Sequence, residues 1–551
     1  MKQGYIKKLG IMFLSATLVL GVTGCNSSTK ESESDTQTEE SGEKQGMQQG
    51  PGMEHQLTQE ELEAYEEADG IEIGALELKT DWNEQAKIIL GDTVSIDGTG
   101  AEVSDDNTVT ITEGGSYVIS GELSDGMIQV DTEEEVKLIL QGVSITNEDG
   151  PAIYVKEAKS CYIETAEGTE NILSDGESYA ETEDKQKATI FSNDRLVLLG
   201  EGSLIVNGNY KHGICSDDEV YVISGTYTIT AVKDGIHTNN WISVEGGTVQ
   251  ITATDDGMQS KGPVALDGGT ITIAAEDKGV TAYGDLTVND GTIQISKCEE
   301  GLESKNDLTI NGGTTEITGN DDGLNARTSI TINGGILYAE MTAGDAIDSN
   351  GSMTITGGLI LAFGAQMPEG GADCDMNEIK ITGGTLIATG GTNSAPSESE
   401  SSQISVLLGS ASKGDMIGIL DSDGNTVFAF EAPGNYSNML LSTATITSDQ
   451  DYTVYTGGTI NGDSYHGYYE NGSYTGGTES ISFTTDGMVI SAGGTSDDMG
   501  GFGGGGKMPE DGEKPQMPEN AEMPQKPGDG EMPQKQEQGE MTERSDDATD
   551  N

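Results

Sequence analysis

A twenty-two-residue spacing dominates the middle of this chain. Gly213, Gly235, Gly257, Gly279, Gly301 and Gly323 stand 22 apart, and Ala346 follows after 23. A second column of glycines, Gly225, Gly247, Gly269, Gly291, Gly313, Gly335 and Gly358, keeps the same steps. Apolar residues hold the register too. One column is Ile214, Ile236, Met258, Val280, Leu302, Leu324 and Ile347, and another is Val222, Val244, Leu266, Val288, Ile310, Ile332 and Ile355. Within each unit apolar and polar residues alternate, as in Leu286-Thr287-Val288 and Ile293-Gln294-Ile295. Period-two alternation in so short a unit means several short strands per repeat and excludes helices. One unit cannot bury its apolar face alone, so each strand must pair with its copy in the next. Propeller blades need about 40–45 residues, which removes that architecture. The sequence therefore predicts an all-β fold: a right-handed parallel β-helix of 22-residue coils, with rungs about 4.8 Å apart.

The turns agree with this reading. Asn289, Asn311 and Asn333 fall in one column ahead of the turn glycines, where stacked side-chain amides can bond along the ladder. Less regular coils around Ile153, Ile190 and Leu196–Leu199 extend the helix upstream, and Val109-Thr110-Ile111 with Tyr117-Val118-Ile119 begin it. The expected boundaries are residues 85–395 for the helix and 403–490 for a small antiparallel β unit covering its end. The serine-rich stretch 394–402 reads as a linker between them.

The two ends have different compositions. Lys2, Lys7 and Lys8 precede a short apolar run, and Val22-Thr23-Gly24-Cys25 follows it. This reads as a secretory signal over residues 1–25. The motif resembles a bacterial lipobox, so Cys25 is the expected lipidation site, with the protein extracellular and membrane-anchored through that lipid. Residues 26–84 are rich in Ser, Glu, Gln and Gly and read as a disordered acidic tether, with a possible capping box at Thr58–Glu61. Residues 496–551 carry Gly, Met and Pro repeats and read as a disordered tail. Cys161, Cys215, Cys298 and Cys374 have no disulfide or zinc spacing and are expected to be small buried residues.

The chain holds 95 acidic and 27 basic residues, for a net charge of −68. That balance excludes nucleic acid, whose recognition runs on Lys and Arg neutralising phosphates. The acids are ordered along the repeat: Asp255-Asp256, Asp277-Lys278, Glu299-Glu300 and Asp321-Asp322 precede successive turn glycines, and Asp345 and Asp348 follow. Like charges one rung apart repel by about 1 kcal/mol in water and about 3.5 kcal/mol at an effective dielectric of 20. Either Lys261, Lys278, Lys305 and Arg327 offset this as a solvated, balanced edge, or a hard cation does. Oxygen donors without His or Cys suit Ca²⁺.

Lys261, Tyr283, Lys305 and Arg327 share the position four residues past the glycine, beside the acidic column. Such a pairing can grip an acidic polysaccharide, with calcium bridging the sugar carboxylates and the cations donating hydrogen bonds; it can equally be surface charge balance. Lys305 lies outside the apolar columns, so its loss is expected to leave the fold intact. His212 and His237 occupy neighbouring coils in different columns and read as a turn residue and a surface residue. The sequence shows no phosphate loop, GxSxG or HExxH motif.

Several segments carry a resemblance. They are Gly115-Ser116-Tyr117-Val118-Ile119-Ser120-Gly121, Glu167-Gly168-Thr169-Glu170-Asn171, Asn207-Gly208-Asn209 before His212-Gly213-Ile214, and Val454-Tyr455-Thr456-Gly457-Gly458. With the Asp-Gly-apolar repeats, the chain resembles β-helical carbohydrate-binding lipoproteins of anaerobic Gram-positive bacteria. That family is associated with cellulose and polygalacturonate, binds calcium and is similar to family-nine polysaccharide lyases. The resemblance implies a monomeric, non-catalytic, calcium-dependent binder of acidic plant cell-wall polysaccharide. It also implies that Asp345 and Asp348 resemble the lyase calcium pair. A lyase would use Lys305 as its base, but here acids and lysines are spread over many coils. Two alternatives therefore stand beside binding: a uronate lyase working by calcium-assisted β-elimination, and a surface spacer with no sugar site.

Overall fold

A computed structural model describes residues 70–180, 185–375 and 377–495. The signal segment with Cys25, the tether up to residue 69 and the tail from 496 lie outside the described residues.

Alternation turns directly into coils. In one of them Met258–Ser260, Val264–Leu266 and Thr270–Ala275 are three short strands separated by tight turns. Their copies in the next coil pair with them in parallel and in register: Met258 with Val280, Leu266 with Val288, and Ile273 with Ile295. Repeating this step builds a parallel β-solenoid of about 12 turns with coils of about 22 residues. The first strand of each coil joins a thirteen-stranded sheet, and the other two extend a larger sheet. No helix occurs among the described residues.

Inside the coil every second side chain meets its own column. Ile214, Ile236, Met258, Val280, Leu302, Leu324 and Ile347 are all fully buried, as are Leu266, Val288 and Ile332. A single coil would leave these aliphatics in water, at roughly 1.5–3 kcal/mol each, so stacking is what makes the unit stable. The two glycine columns serve different ends. Gly269 has a φ of +84°, a left-handed turn that glycine alone adopts without strain. Gly257 is required for space: a Cβ there would lie 2.4 Å from Ile273 Cγ2 and 2.5 Å from the Gly279 carbonyl oxygen.

The asparagine column forms a side-chain ladder on the outer surface. Asn311 Nδ2 donates to Asn289 Oδ1 at 2.7 Å, and Asn333 Nδ2 donates to Asn311 Oδ1 at 2.8 Å. The four internal cysteines are buried and unbridged.

Both boundaries of the solenoid differ from the sequence reading. Residues 70–83, expected to belong to the tether, lie against the larger sheet. The Tyr221 hydroxyl donates to the Gly74 carbonyl at 2.6 Å, and the Trp82 ring meets Tyr162 edge-on at 5.0 Å. Trp and Tyr have large apolar faces to cover, which composition averaged over the tether concealed. Glu84–Leu90 then starts the stack, pairing in parallel with Gly115–Leu123. At the other end, the serine-rich stretch is no free linker. Its backbone bonds to the last coil through Ile379 N–H to Ala395 O and Ser397 N–H to Ile379 O, with Ser397 and Ser401 buried.

The C-terminal unit continues the solenoid's own sheet. Asn438–Thr443 pairs antiparallel with Thr385–Gly390, and Ser405–Leu408 adds next. Beyond it, Met416–Asp421, Thr426–Glu431, Asp451–Thr456 and Thr478–Thr484 form a four-stranded antiparallel sheet. The exposed end of a parallel stack is an open strand edge, and this unit covers it.

Candidate functional site

The thirteen-stranded sheet has a polar outer face. Side chains one residue after and two residues before the buried Ile214–Ile347 column lie outside the core, the former by strand alternation and the latter because the intervening glycine takes the inward position. They form two rows running along the solenoid. One is His212, Asp234, Asp256, Lys278, Glu300, Asp322 and Asp345, each preceding the close-packed glycine or Ala346. The other is His237, Gln259, Thr281, Glu303, Asn325, Asp348 and Asp373, each in register with its neighbours. Although they face outwards, most of these side chains are shielded from solvent, with Asp234, Asp256, Thr281, Glu303 and Asp345 all buried.

The middle of this strip is an ion-pair lattice. Lys278 Nζ sits 3.5 Å from Asp277, 3.9 Å from Glu300 and 3.9 Å from Glu303. Lys305 also pairs with Glu303, and both are buried. Burial works against the Lys278 charge, but Glu300, Glu303 and Asp277 outweigh it and raise its pKa. Burial, reinforced by Glu303, lifts Glu300 well above the ordinary carboxylate range. Asp256, which accepts a 2.8 Å bond from Gln259 Nε2, is pushed up to about 7 by burial and by Asp234.

Towards the C-terminal coils no lysine pairs with the outward acids among the described residues. Asp345, Asp348 and Asp373 each offer a carboxylate oxygen, all within 4.8 Å of one another. Asp322 adjoins them by accepting the Asp345 amide at 2.8 Å, and Asp345 accepts the Gly370 amide. Burial, then repulsion from neighbouring acids, raises Asp322, Asp345 and Asp348. Asp345 reaches about 10, with Asp322, Asp348 and Asp373 contributing. Asp322 reaches about 8 with Asp348 as the chief neighbour, and Asp348 about 8 with Asp373. Oxygen-only donors whose charges are mutually unfavourable fit a hard divalent cation, which supplies the missing positive charge. A second acidic group, Asp255, Asp256 and Asp277, also lies within 4.8 Å. Lys233, 3.0 Å from Asp255, and Lys278 already serve it.

The expected site residues therefore divide. Asp255, Asp256 and Asp277 come together, and Asp345 and Asp348 come together with Asp373. Glu300 and Asp322 share Asn325 Nδ2, each at 3.4 Å. Glu299 and Asp321 stay exposed and join no group of three close ligand atoms among the described residues. Glu299 instead accepts a 2.7 Å bond from Asn320. Of the expected cation row, Lys261 and Tyr283 are half-buried, Arg327 is exposed, and Lys305 is buried.

Three residues depart from what the repeat suggested. Asp373 follows Asp348 by 25 positions, because an inserted loop breaks the period, yet the strands remain in register. His212 and His237 are neither turn nor surface residues. Both are buried on strands, with rings stacked 4.5 Å apart beside Asp234. Their columns differ by position in the coil, and the outward rows bring different columns side by side.

The profile of a family described as "Carbohydrate-binding domain-containing protein" matches residues 105–346 and 296–487, more than half of the chain. The chain belongs to this family. A carbohydrate-binding domain-containing protein of Acetivibrio thermocellus is 39% identical over 153 residues, which is 26% of this chain and 53% of that relative. The chain thus spans about half the length of the curated relative it matches. A solved structure described as the polysaccharide lyase-like protein from C. thermocellum, in a gadolinium derivative, is 31% identical with a TM-score of 0.38. That similarity covers 45% of this chain and 96% of the other.

Proposed function

We propose that this member of the carbohydrate-binding family is a non-catalytic, calcium-dependent binder of acidic cell-wall polysaccharide, held at the cell surface by a lipid on Cys25. The observation that carries the reading is the shielded outer strip, where carboxylates recur on successive coils around Lys278 and Lys305. Calcium fits best at Asp345, Asp348 and Asp373, where no lysine among the described residues pairs with the carboxylates. Bound there, it supplies a positive centre that sugar carboxylates can share. Lys261 and Arg327 then donate to the same polymer with Tyr283 between them, while Lys305, buried against Glu303, braces the strip beneath it. The regular rung spacing suits an extended repeating chain better than a small ligand, because contacts recur along one axis.

Binding is favoured over elimination by the Lys305–Glu303 pair. An ammonium engaged with a buried carboxylate is placed to donate hydrogen bonds, whereas a lyase base must accept a proton. The test is retention of the protein on polygalacturonate and cellulose, with calcium and with chelator, alongside the ultraviolet absorbance of unsaturated uronate. Calcium-dependent retention on polygalacturonate without ultraviolet growth is the expected result. Growth of that signal would make the protein a lyase, and no retention on either polymer would leave it a spacer.

A further inference from the structure

The first coils of the same strip hold a group with different chemistry. His237 Nδ1 lies 2.8 Å from Asp234 Oδ2, and His212 Nδ1 lies 3.1 Å from the same oxygen. All three side chains are buried, Asp234 completely. Hydrogen bonding accounts for only part of this convergence. His237 meets Asp234 with hydrogen-bond geometry, but His212 Nδ1 has no hydrogen-bond partner among the described residues, and neither does Asp234 Oδ1. Both histidines converge on Oδ2, yet the buried imidazole of His212 is left unsatisfied there and Oδ1 of the same carboxylate is unsatisfied as well, at a cost of about 1–3 kcal/mol for each unmet group.

We propose that His212, Asp234 and His237 form a mononuclear site for a borderline divalent transition metal such as Zn²⁺. Metal–ligand bonds of about 2.0–2.1 Å at right angles put neighbouring donors about 3 Å apart, and tetrahedral angles put them about 3.4 Å apart. The 2.8 and 3.1 Å separations match the right-angled arrangement with little movement. Two imidazoles with one carboxylate on a face is a donor set for zinc or another first-row metal, and nitrogen donors do not suit calcium. Lys233 is the only lysine or arginine within 4 Å of the Asp234 carboxylate among the described residues. It lies 3.8 Å from Oδ1 and has a closer partner in Asp255 at 3.0 Å, so it can withdraw. Tyr154, Phe191 and Cys215 form an apolar cluster just upstream on the same face. Their low polarity strengthens coordination beside them.

The test uses the whole protein stripped with chelator, then titrated with Co²⁺ and with Zn²⁺ in the presence of excess Ca²⁺. One equivalent of Co²⁺ should bind with visible d–d bands, and Zn²⁺ should displace it. His212→Gln and His237→Gln should each weaken uptake on the order of a hundredfold, whereas Asp348→Asn should leave it unchanged. X-ray absorption of the wild-type zinc form, which needs no variant to fold, should show two imidazole nitrogens. Uptake that calcium suppresses, uptake insensitive to both histidine variants, an all-oxygen coordination sphere, or no uptake would each overturn the site. None of these outcomes bears on polysaccharide retention, so the two proposals stand or fall separately.

Discussion

Glu303 lies in the strand Glu300–Ser304, Lys305 follows its last residue, and the two form a buried ion pair. Lys278, from the preceding coil, approaches Glu303 from 3.9 Å. This pair reverses the expectation that Lys305 is dispensable to the fold. Lys305→Ala leaves a carboxylate shielded from water with one distant cation, so it should destabilise the protein. Removing one partner of a buried pair costs about 3–5 kcal/mol, and the remaining Lys278 places this case at the lower end. The denaturation midpoint of Lys305→Ala should fall clearly, and adding Glu303→Gln should recover most of the loss. Equal midpoints for wild type and Lys305→Ala would show that the pair contributes nothing.

The acidic end of the strip makes an opposite prediction. Asp345→Asn removes a carboxyl that burial, and then Asp322, Asp348 and Asp373, hold against ionising, and the amide oxygen can still accept the Gly370 N–H. In chelator the variant should therefore be more stable than wild type, by on the order of 1 kcal/mol or more. With calcium the order should reverse, since the wild type gains a bound cation and the variant gains little. Melting curves of both proteins in both conditions settle this. A variant that is less stable in chelator and still responds to calcium would remove Asp345 from the cation site.

The repeat itself can be tested at two positions that look alike in sequence but act differently. Asn311 makes two exposed ladder bonds, so Asn311→Ala should cost about 1–2 kcal/mol. Gly257→Ala forces a methyl group against Ile273 and the Gly279 carbonyl within the stack, where coils cannot separate without breaking pairing. It should cost about 3 kcal/mol or more and lower expression of folded protein. Similar melting temperatures for the two variants would contradict the close packing of the coils.

These positions show how far sequence alone carries the argument. The coils and their register were legible because burial imposes one alternation on every unit, and Ile236, Met258 and Val280 announce it. The ladder was legible for the same reason: a column in sequence is a column in space. The partners were not. Lys305 meets Glu303, and His212 meets His237, across different columns of the repeat, where the decisive distance runs around the coil. Asp373 was hidden by an insertion that changes the count of residues without shifting the strand pairing. Residues 70–83 were hidden because a polar average outweighs two or three aromatic contacts.

The acids also fix a pH dependence. Unfolded aspartates titrate near 3.9. In the folded protein Asp322 and Asp348 are raised to about 8 and Asp345 to about 10, chiefly by burial and then by one another. The native state therefore holds more protons than the unfolded state between those values. Its contribution to stability is complete below about 4 and is lost as pH rises through the folded values. The histidines act below this range: His237, lowered to about 4 by burial, contributes stability above the unfolded histidine value near 6.5. Between pH 6.5 and 9 the aspartates govern. In chelator the melting temperature should fall steadily across that window. Saturating calcium should abolish the fall, because the cation binds the ionised carboxylates and competes with protons for them. Asp345→Asn combined with Asp348→Asn should flatten the chelator profile without calcium. A wild-type profile in chelator that is already flat from pH 6.5 to 9 would mean that these carboxylates ionise without strain, and the case for a cation at that end would fail with it.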